Sequence, residues 1–295
     1  MKIVISRLSM QLDAGNLGNF LYIPPSYHHF YQPVVYPQAD FGSMLDNQKK
    51  PLNELKMVLH NRMPSHLGSF GVSLLENKSW ALWENNSGSY SLLIKEDIPP
   101  RLAIVDNEFK EGDLYLDLSE VKNKVYPLGQ LEIRLFSVWL ATFGDIILHA
   151  SGIMKEGKGY CFLGEAGAGK STLARVFKKD PGVTILGEDT IILRYLDGKF
   201  WIFGTPWHLD PDFCSPASAP LEKMFFLDRS RPSGFYLASP SDGISQILRT
   251  AVIPYYHKNW LSKIIENLVL LSGLVPFYNF SFLLGTNPWN QINAA

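Results

Sequence analysis

The stretch Gly164-Glu165-Ala166-Gly167-Ala168-Gly169-Lys170-Ser171-Thr172 sets three glycines, a lysine and two hydroxyls at the spacing G-x-x-x-x-G-K-S. Glycine lets consecutive backbone N–H groups turn inward towards one anion, and a helix amino terminus adds its partial positive charge. A lysine at position 170 reaches outer phosphates as a point charge, and a hydroxyl at Ser171 suits the Mg²⁺ that bridges them. The pattern is that of a phosphate loop, the Walker A motif. Thr172 stands where a dinucleotide fingerprint needs its third glycine, so that reading fails.

Three further groups fit the same chemistry. Glu188 and Asp189 lie about twenty residues past Lys170 at the end of an apolar run. Adjacent acids there suit a metal contact and a base for an attacking hydroxyl, although an acidic surface turn reads the same way. His149, a lone histidine inside the apolar run 145–154, could orient that base or contact a phosphate; a satisfied core histidine fits the spacing equally well. Gly204-Thr205-Pro206-Trp207-His208 follows a strand and suits a tight turn near the site, or simple packing of Trp207.

These residues need a strand, a loop and a helix to hold them. Gly159-Tyr160-Cys161-Phe162-Leu163 reads as the strand entering the loop and Leu173-Ala174-Arg175-Val176-Phe177 as the helix leaving it. Leu128, Leu131, Leu135, Val138, Trp139 and Thr142 recur at three and four residues, which predicts an amphipathic helix over about 129–143 closed by Gly144. Residues 145–154 read as one buried strand and 155–159 as a hairpin turn. Val183–Gly187, Thr190–Tyr195 and Phe200–Gly204 follow as strands, with Asp197-Gly198 as a turn, so the sheet is expected to be partly antiparallel. Leu221–Leu227 reads as another strand, and helices are expected over about 240–250 and 258–273. Before residue 125 the chain shows short apolar runs with little helical period: 3–5, 20–23, 70–75, 80–83, 90–94 and 113–118, with Asn85-Asn86-Ser87-Gly88 as a hairpin turn. The expectation is an α/β phosphate-loop domain over 126–295, with a mixed sheet flanked by helices, preceded by a small β-rich domain over 1–125.

Composition bounds the rest. At 295 residues, with 46% hydrophobic and 19% charged positions, the chain suits one large or two modest globular domains. A net charge of −1 argues against a nucleic-acid binder working by massed phosphate contacts. Cys161 and Cys214 form no metal spacing, which fits a reducing, cytoplasmic compartment. The first residues lack the apolar centre of a signal peptide, and the apolar stretch 268–277 is broken by Pro276, so no membrane insertion is expected. The aromatic, proline-rich tract Tyr22–Tyr36, with His28 and His29, reads as a loop folded onto its domain, with a peptide-docking surface as the alternative.

His149-Ala150-Ser151, Gly164–Thr172, Glu188-Asp189, Gly204–His208 and Pro216-Ala217-Ser218-Ala219-Pro220-Leu221, in this order and spacing, resemble the HPr-kinase-like proteins. These are relatives of the catalytic domain of HPr serine kinase/phosphorylase, whose fold is similar to the nucleotide domain of phosphoenolpyruvate carboxykinase. The resemblance covers about 127–295 and implies transfer of a phosphoryl group from ATP, with Mg²⁺, to a serine hydroxyl. It puts Gly164, Ala166, Gly167, Ala168, Gly169, Lys170, Ser171 and Thr172 on the nucleotide phosphates, Ser171 and Asp189 on the metal, and His149 on the family's active-site histidine. Glu188 replaces the first of two family aspartates, the one that acts as base; Arg249 corresponds to a family arginine near the phosphates. The HPr-recognition segment is not evident after Pro216 and the amino-terminal domain differs, so a peptide or small protein other than HPr, such as a ribosomally made precursor peptide, is the expected acceptor. The resemblance also makes a homo-oligomer an expectation to test. A nucleotide-binding scaffold without catalysis and a kinase for a free serine-like metabolite are the competing readings.

Overall fold

The computed structural model describes residues 1–32, 51–65, 71–208, 210–228, 230, 232–282 and 288–292. Its elements are mixed α/β, with large sheets and few helices. The chain divides into two compact units, Met1–Trp139 and Leu140–Ala295.

In the first unit the described strands are β1 (Lys2–Ile5), β2 (Leu8–Asp13), β3 (Tyr31–Gln32), β4 (Asn53–His60), β5 (Val72–Glu76), β6 (Trp80–Glu84), β7 (Tyr90–Ile94), β8 (Arg101–Val105) and β9 (Glu111–Leu116). They form one sheet in the order β3-β1-β2-β4-β9-β8-β7-β6-β5. β2, β4 and β9 run parallel at its centre and the other neighbours are antiparallel. Leu55, Met57 and Leu59 of β4 are buried while Lys56 and Val58 face out, the two-residue alternation of a one-sided sheet. The strand expected over 20–23 is instead the end of a 3-10 helix, Gly15–Phe20, followed by a single bridge from Leu21 to Val125. Of the described part of the aromatic tract, Tyr27 and Phe30 are buried whereas Tyr22, His28 and His29 are exposed, so only two of its aromatic rings fold fully inward; Phe70 and residues 33–36 lie outside the described residues.

The helix expected over 129–143 is α1 (Leu131–Ala141). It is not amphipathic: Leu131, Glu132, Leu135, Phe136, Val138, Trp139, Leu140 and Ala141 are all nearly inaccessible. Trp139 stacks on Phe109, and Glu132 accepts hydrogen bonds from Tyr27 and Tyr126. These contacts belong to the first unit, so the division falls within α1 rather than near residue 125.

The second unit continues with β10 (Ile146–Leu148), β11 (Ala150–Lys155), β12 (Lys158–Leu163), α2 (Lys170–Phe177), β13 (Val183–Gly187), β14 (Ile191–Leu196), β15 (Lys199–Gly204) and β16 (Ser218–Leu227). It closes with β17 (Gly234–Leu237), α3 (Pro240–Thr250), β18 (Ala251–Val252), α4 (Lys258–Leu274), β19 (Phe277–Ser281) and α5 (Pro288–Ile292). The sheet order is β13-β11-β12-β16-β15-β14-β10-β18, with β19 on β16 and β17 on β19. β12 and β16 are parallel, as are β16 and β19; the other pairs are antiparallel. Two hairpins turn through left-handed pairs, Glu156-Gly157 (φ 51° and 73°) and Asp197-Gly198 (φ 52° and 79°), the geometry that matches strand twist.

The run 145–154 is not one strand. β10 pairs with β14 and β18, whereas β11 pairs with β12 and β13, and the change of partners occurs at His149. Behind the sheet, Phe162 and Phe225 stack at 5.1 Å with Phe177, Phe280 and Trp289 around them, which fastens α2 to β12.

Candidate functional site

Each side of the cleft is delivered by a strand end. β12 stops at Leu163, the loop 164–169 follows, and α2 starts at Lys170. Gly169 stands before α2 with φ 110°, and no side chain caps the helix, so the first-turn N–H groups have no acceptor of their own. Gly167 has φ 80° with nothing within 4 Å of where a Cβ would sit, leaving its face open. Gly164 is needed for closeness instead: a Cβ there would lie 2.8 Å from Ala168 Cβ and 3.1 Å from Leu227 Cβ.

Lys170 is buried, and its ammonium donates to the Gly164 carbonyl at 2.7 Å and the Glu165 carbonyl at 3.3 Å. Desolvation lowers its pKa, and the nearby Asp189 carboxylate opposes that. A cavity of about 320 Å³ opens over these groups, lined by His149, Ala166, Gly167, Gly169, Lys170, Ser171, Thr172 and Asp189.

His149 enters from the partner change between β10 and β11. Its backbone N–H donates to Thr250 O at 2.9 Å while its flanking residues are buried, so the imidazole alone turns outward. Nδ1 lies 3.1 Å from Asp189 Oδ1, with both side chains about half exposed. Asp189 comes from the turn between β13 and β14.

The structure thus brings His149, Asp189 and most of the glycine loop to one cleft. Gly164, Ala168, Glu188 and Arg249 do not line it. Glu188 is half-buried, and burial raises its carboxyl pKa, helped by Asp210 and Asp189 and opposed by Arg175 and Lys178. Arg249 is exposed in the last turn of α3, one residue before the Thr250 carbonyl that holds the His149 backbone. Cys161 is fully buried, and burial pushes its thiol pKa far up; Cys214 rises to about 11.

The residues present fit a Mg²⁺-bound polyphosphate. Open left-handed glycines, a helix without a side-chain cap and a lysine that, among the described residues, donates to loop carbonyls are features that suit anionic oxygens. Among the described residues no group of three or more His, Cys, Asp or Glu is arranged to hold a metal by itself. Mg²⁺ needs no such cage, because one or two protein oxygens and substrate phosphates commonly hold it.

No family model and no curated protein matches the chain. Among solved structures it is similar to the HPr(Ser) kinase/phosphatase from Coxiella burnetii, at 16% identity over 50% of this chain and 86% of that one, with a TM-score of 0.28. Among the described residues no helix is long and apolar enough to cross a membrane.

Proposed function

We propose that the chain is an ATP- and Mg²⁺-dependent kinase that transfers a phosphoryl group to a serine hydroxyl of a peptide or small protein. The observation that carries this reading is the joint lining of one cleft by the glycine loop, Lys170, Ser171 and the His149–Asp189 pair. Loop amides and Lys170 would bind the phosphates, and the Ser171 hydroxyl with the Asp189 carboxylate would hold the metal. When bound, Mg²⁺ neutralises charge on the β- and γ-phosphate oxygens. With Nδ1 3.1 Å from Asp189 Oδ1, the carboxylate, which can only accept, would favour a proton on His149 Nδ1 and leave Nε2 as the acceptor. Nε2 takes the proton of the serine hydroxyl as its oxygen bonds to the γ-phosphorus; the bond to the bridging oxygen breaks and ADP leaves with that electron pair. Asp189 then stabilises the imidazolium.

The first test is transfer of labelled γ-phosphate from Mg·ATP into size-fractionated extract of the source cell, with wild type and Lys170→Ala side by side. Alkali-labile label in a peptide fraction, present with wild type and reduced by orders of magnitude in the variant, is the expected outcome. Label confined to small molecules would point to a metabolite acceptor. ATP binding without any transfer would refute the kinase reading in favour of a nucleotide-binding scaffold.

A further inference from the structure

Two side-chain donors converge on the backbone carbonyl of Thr190, the residue after Asp189. Thr205 Oγ1 donates to it at 2.8 Å, and His208 Nε2 lies 3.1 Å from it. A carbonyl oxygen only accepts, so Nε2 carries the His208 ring proton. Nδ1 is buried with no hydrogen-bond partner among the described residues. A second proton there would create a buried N–H without an acceptor, and burial lowers the imidazole pKa accordingly. The ring is therefore a neutral, fixed donor.

The same ring sits against Gly187. A Cβ at that position would lie 2.8 Å from His208 Nε2, 3.1 Å from Cε1 and 2.6 Å from Thr190 O. The strand leading into the turn is held by the same segment: Ser215 N–H donates to Leu186 O at 3.2 Å, and Gly187 bridges Cys214. The chain after β15 thus braces both ends of the turn that presents Asp189. His208 does not line the cleft.

Resting on the phosphoryl-transfer reading above, we propose that His208 is a positioning residue whose Nε2–H grips the Thr190 carbonyl and keeps Asp189 in register with His149. The role needs a donor at the Nε2 position and uses no acid–base chemistry of the ring. Glutamine can place an amide N–H close to that point; leucine cannot.

The test compares wild type, His208→Gln and His208→Leu by turnover, by affinity for ATP in the absence of Mg²⁺ and by hydrogen exchange of the backbone segment 187–190. The leucine variant should lose between roughly tenfold and a hundredfold in turnover, the range expected for a misplaced catalytic group, with affinity for ATP in the absence of Mg²⁺ within about twofold of wild type because the glycine loop is untouched. Its turn should exchange faster, and glutamine should restore both turnover and protection. If leucine keeps wild-type turnover and protection, or if glutamine fails as badly as leucine, the proposal is wrong. A parallel loss of metal-free ATP affinity overturns it too, since that marks general disruption of the glycine loop. Should leucine not fold, Thr205→Val removes the other donor and is judged by the same outcomes. If wild type transfers no phosphate, the kinase reading falls by itself, and exchange at 187–190 decides the positioning role alone.

Discussion

A histidine beside a carboxylate can act as a base only through the ring nitrogen that the carboxylate leaves free. His149 meets this condition, with Nδ1 3.1 Å from Asp189 and the ring at the cleft wall. The family resemblance gives the base role to Glu188, and in this geometry that side chain lies off the cleft lining. The two assignments separate cleanly: His149→Gln should lower turnover by about 10²- to 10⁴-fold, the usual worth of a positioned base, while Glu188→Gln should change it by less than about tenfold. Steady-state turnover with saturating Mg·ATP checks both. A large loss in Glu188→Gln with His149→Gln active would return the base role to Glu188. The glycine loop was legible as residues because each type at its spacing has one physical purpose. Which of two adjacent acids faces the cleft was not, since consecutive residues in a tight turn can point either way, and the carbonyl that follows the pair is held by Thr205 and His208, at least fifteen residues downstream.

At the scale of elements, the loop is only as firm as the strand that delivers it. Phe162 of β12 is fully buried, stacks on Phe225 at 5.1 Å and lies 5.4 Å from Phe177 of α2, so one ring ties the strand before the loop to the helix after it. Phe162→Ala should destabilise the second unit by about 3–5 kcal/mol, the usual range for such a core truncation, read from urea unfolding. It should also weaken Mg·ATP binding, whereas an unchanged unfolding midpoint would show that α2 is held by other contacts. The strand–loop–helix order and both left-handed hairpins were readable because period and turn chemistry are local. The break at His149 was not, because β10 and β11 are buried alike and a change of sheet partner leaves no mark on hydropathy. The hairpin between β1 and β2 escaped for a different reason: its left-handed positions are Ser6 and Arg7, residues that carry no glycine or asparagine signal. β4 does carry a local signal, the alternation of Leu55, Met57 and Leu59, but Val58, apolar yet facing out, blurs it into an undirected apolar run. The short strands β18 and β19 depend on partners distant in sequence, Leu148 and Met224 among them.

At the scale of the molecule, the place where the two units divide has a consequence for what folds alone. A cut near residue 125, where the period of the sequence changes, removes Tyr126, Glu132, Phe136 and Trp139 from the first unit. Glu132 is then missing from beneath Tyr27, whose hydroxyl loses a buried acceptor, and Phe109 loses the indole stacked on it at 5.9 Å. A buried aromatic deletion costs about 3–5 kcal/mol and an orphaned buried polar group about 1–3 kcal/mol. Against a total stability of about 5–15 kcal/mol for a domain, those losses are of the size of the whole. Fragment 1–125 should therefore be largely unfolded, while fragment 1–141, which keeps α1, should show a cooperative unfolding transition followed by far-ultraviolet circular dichroism and near-ultraviolet signals from the Trp139 environment. Equal stability of the two fragments would mean that α1 contributes nothing to the first unit's core, and the boundary would move back to where the sequence alone puts it.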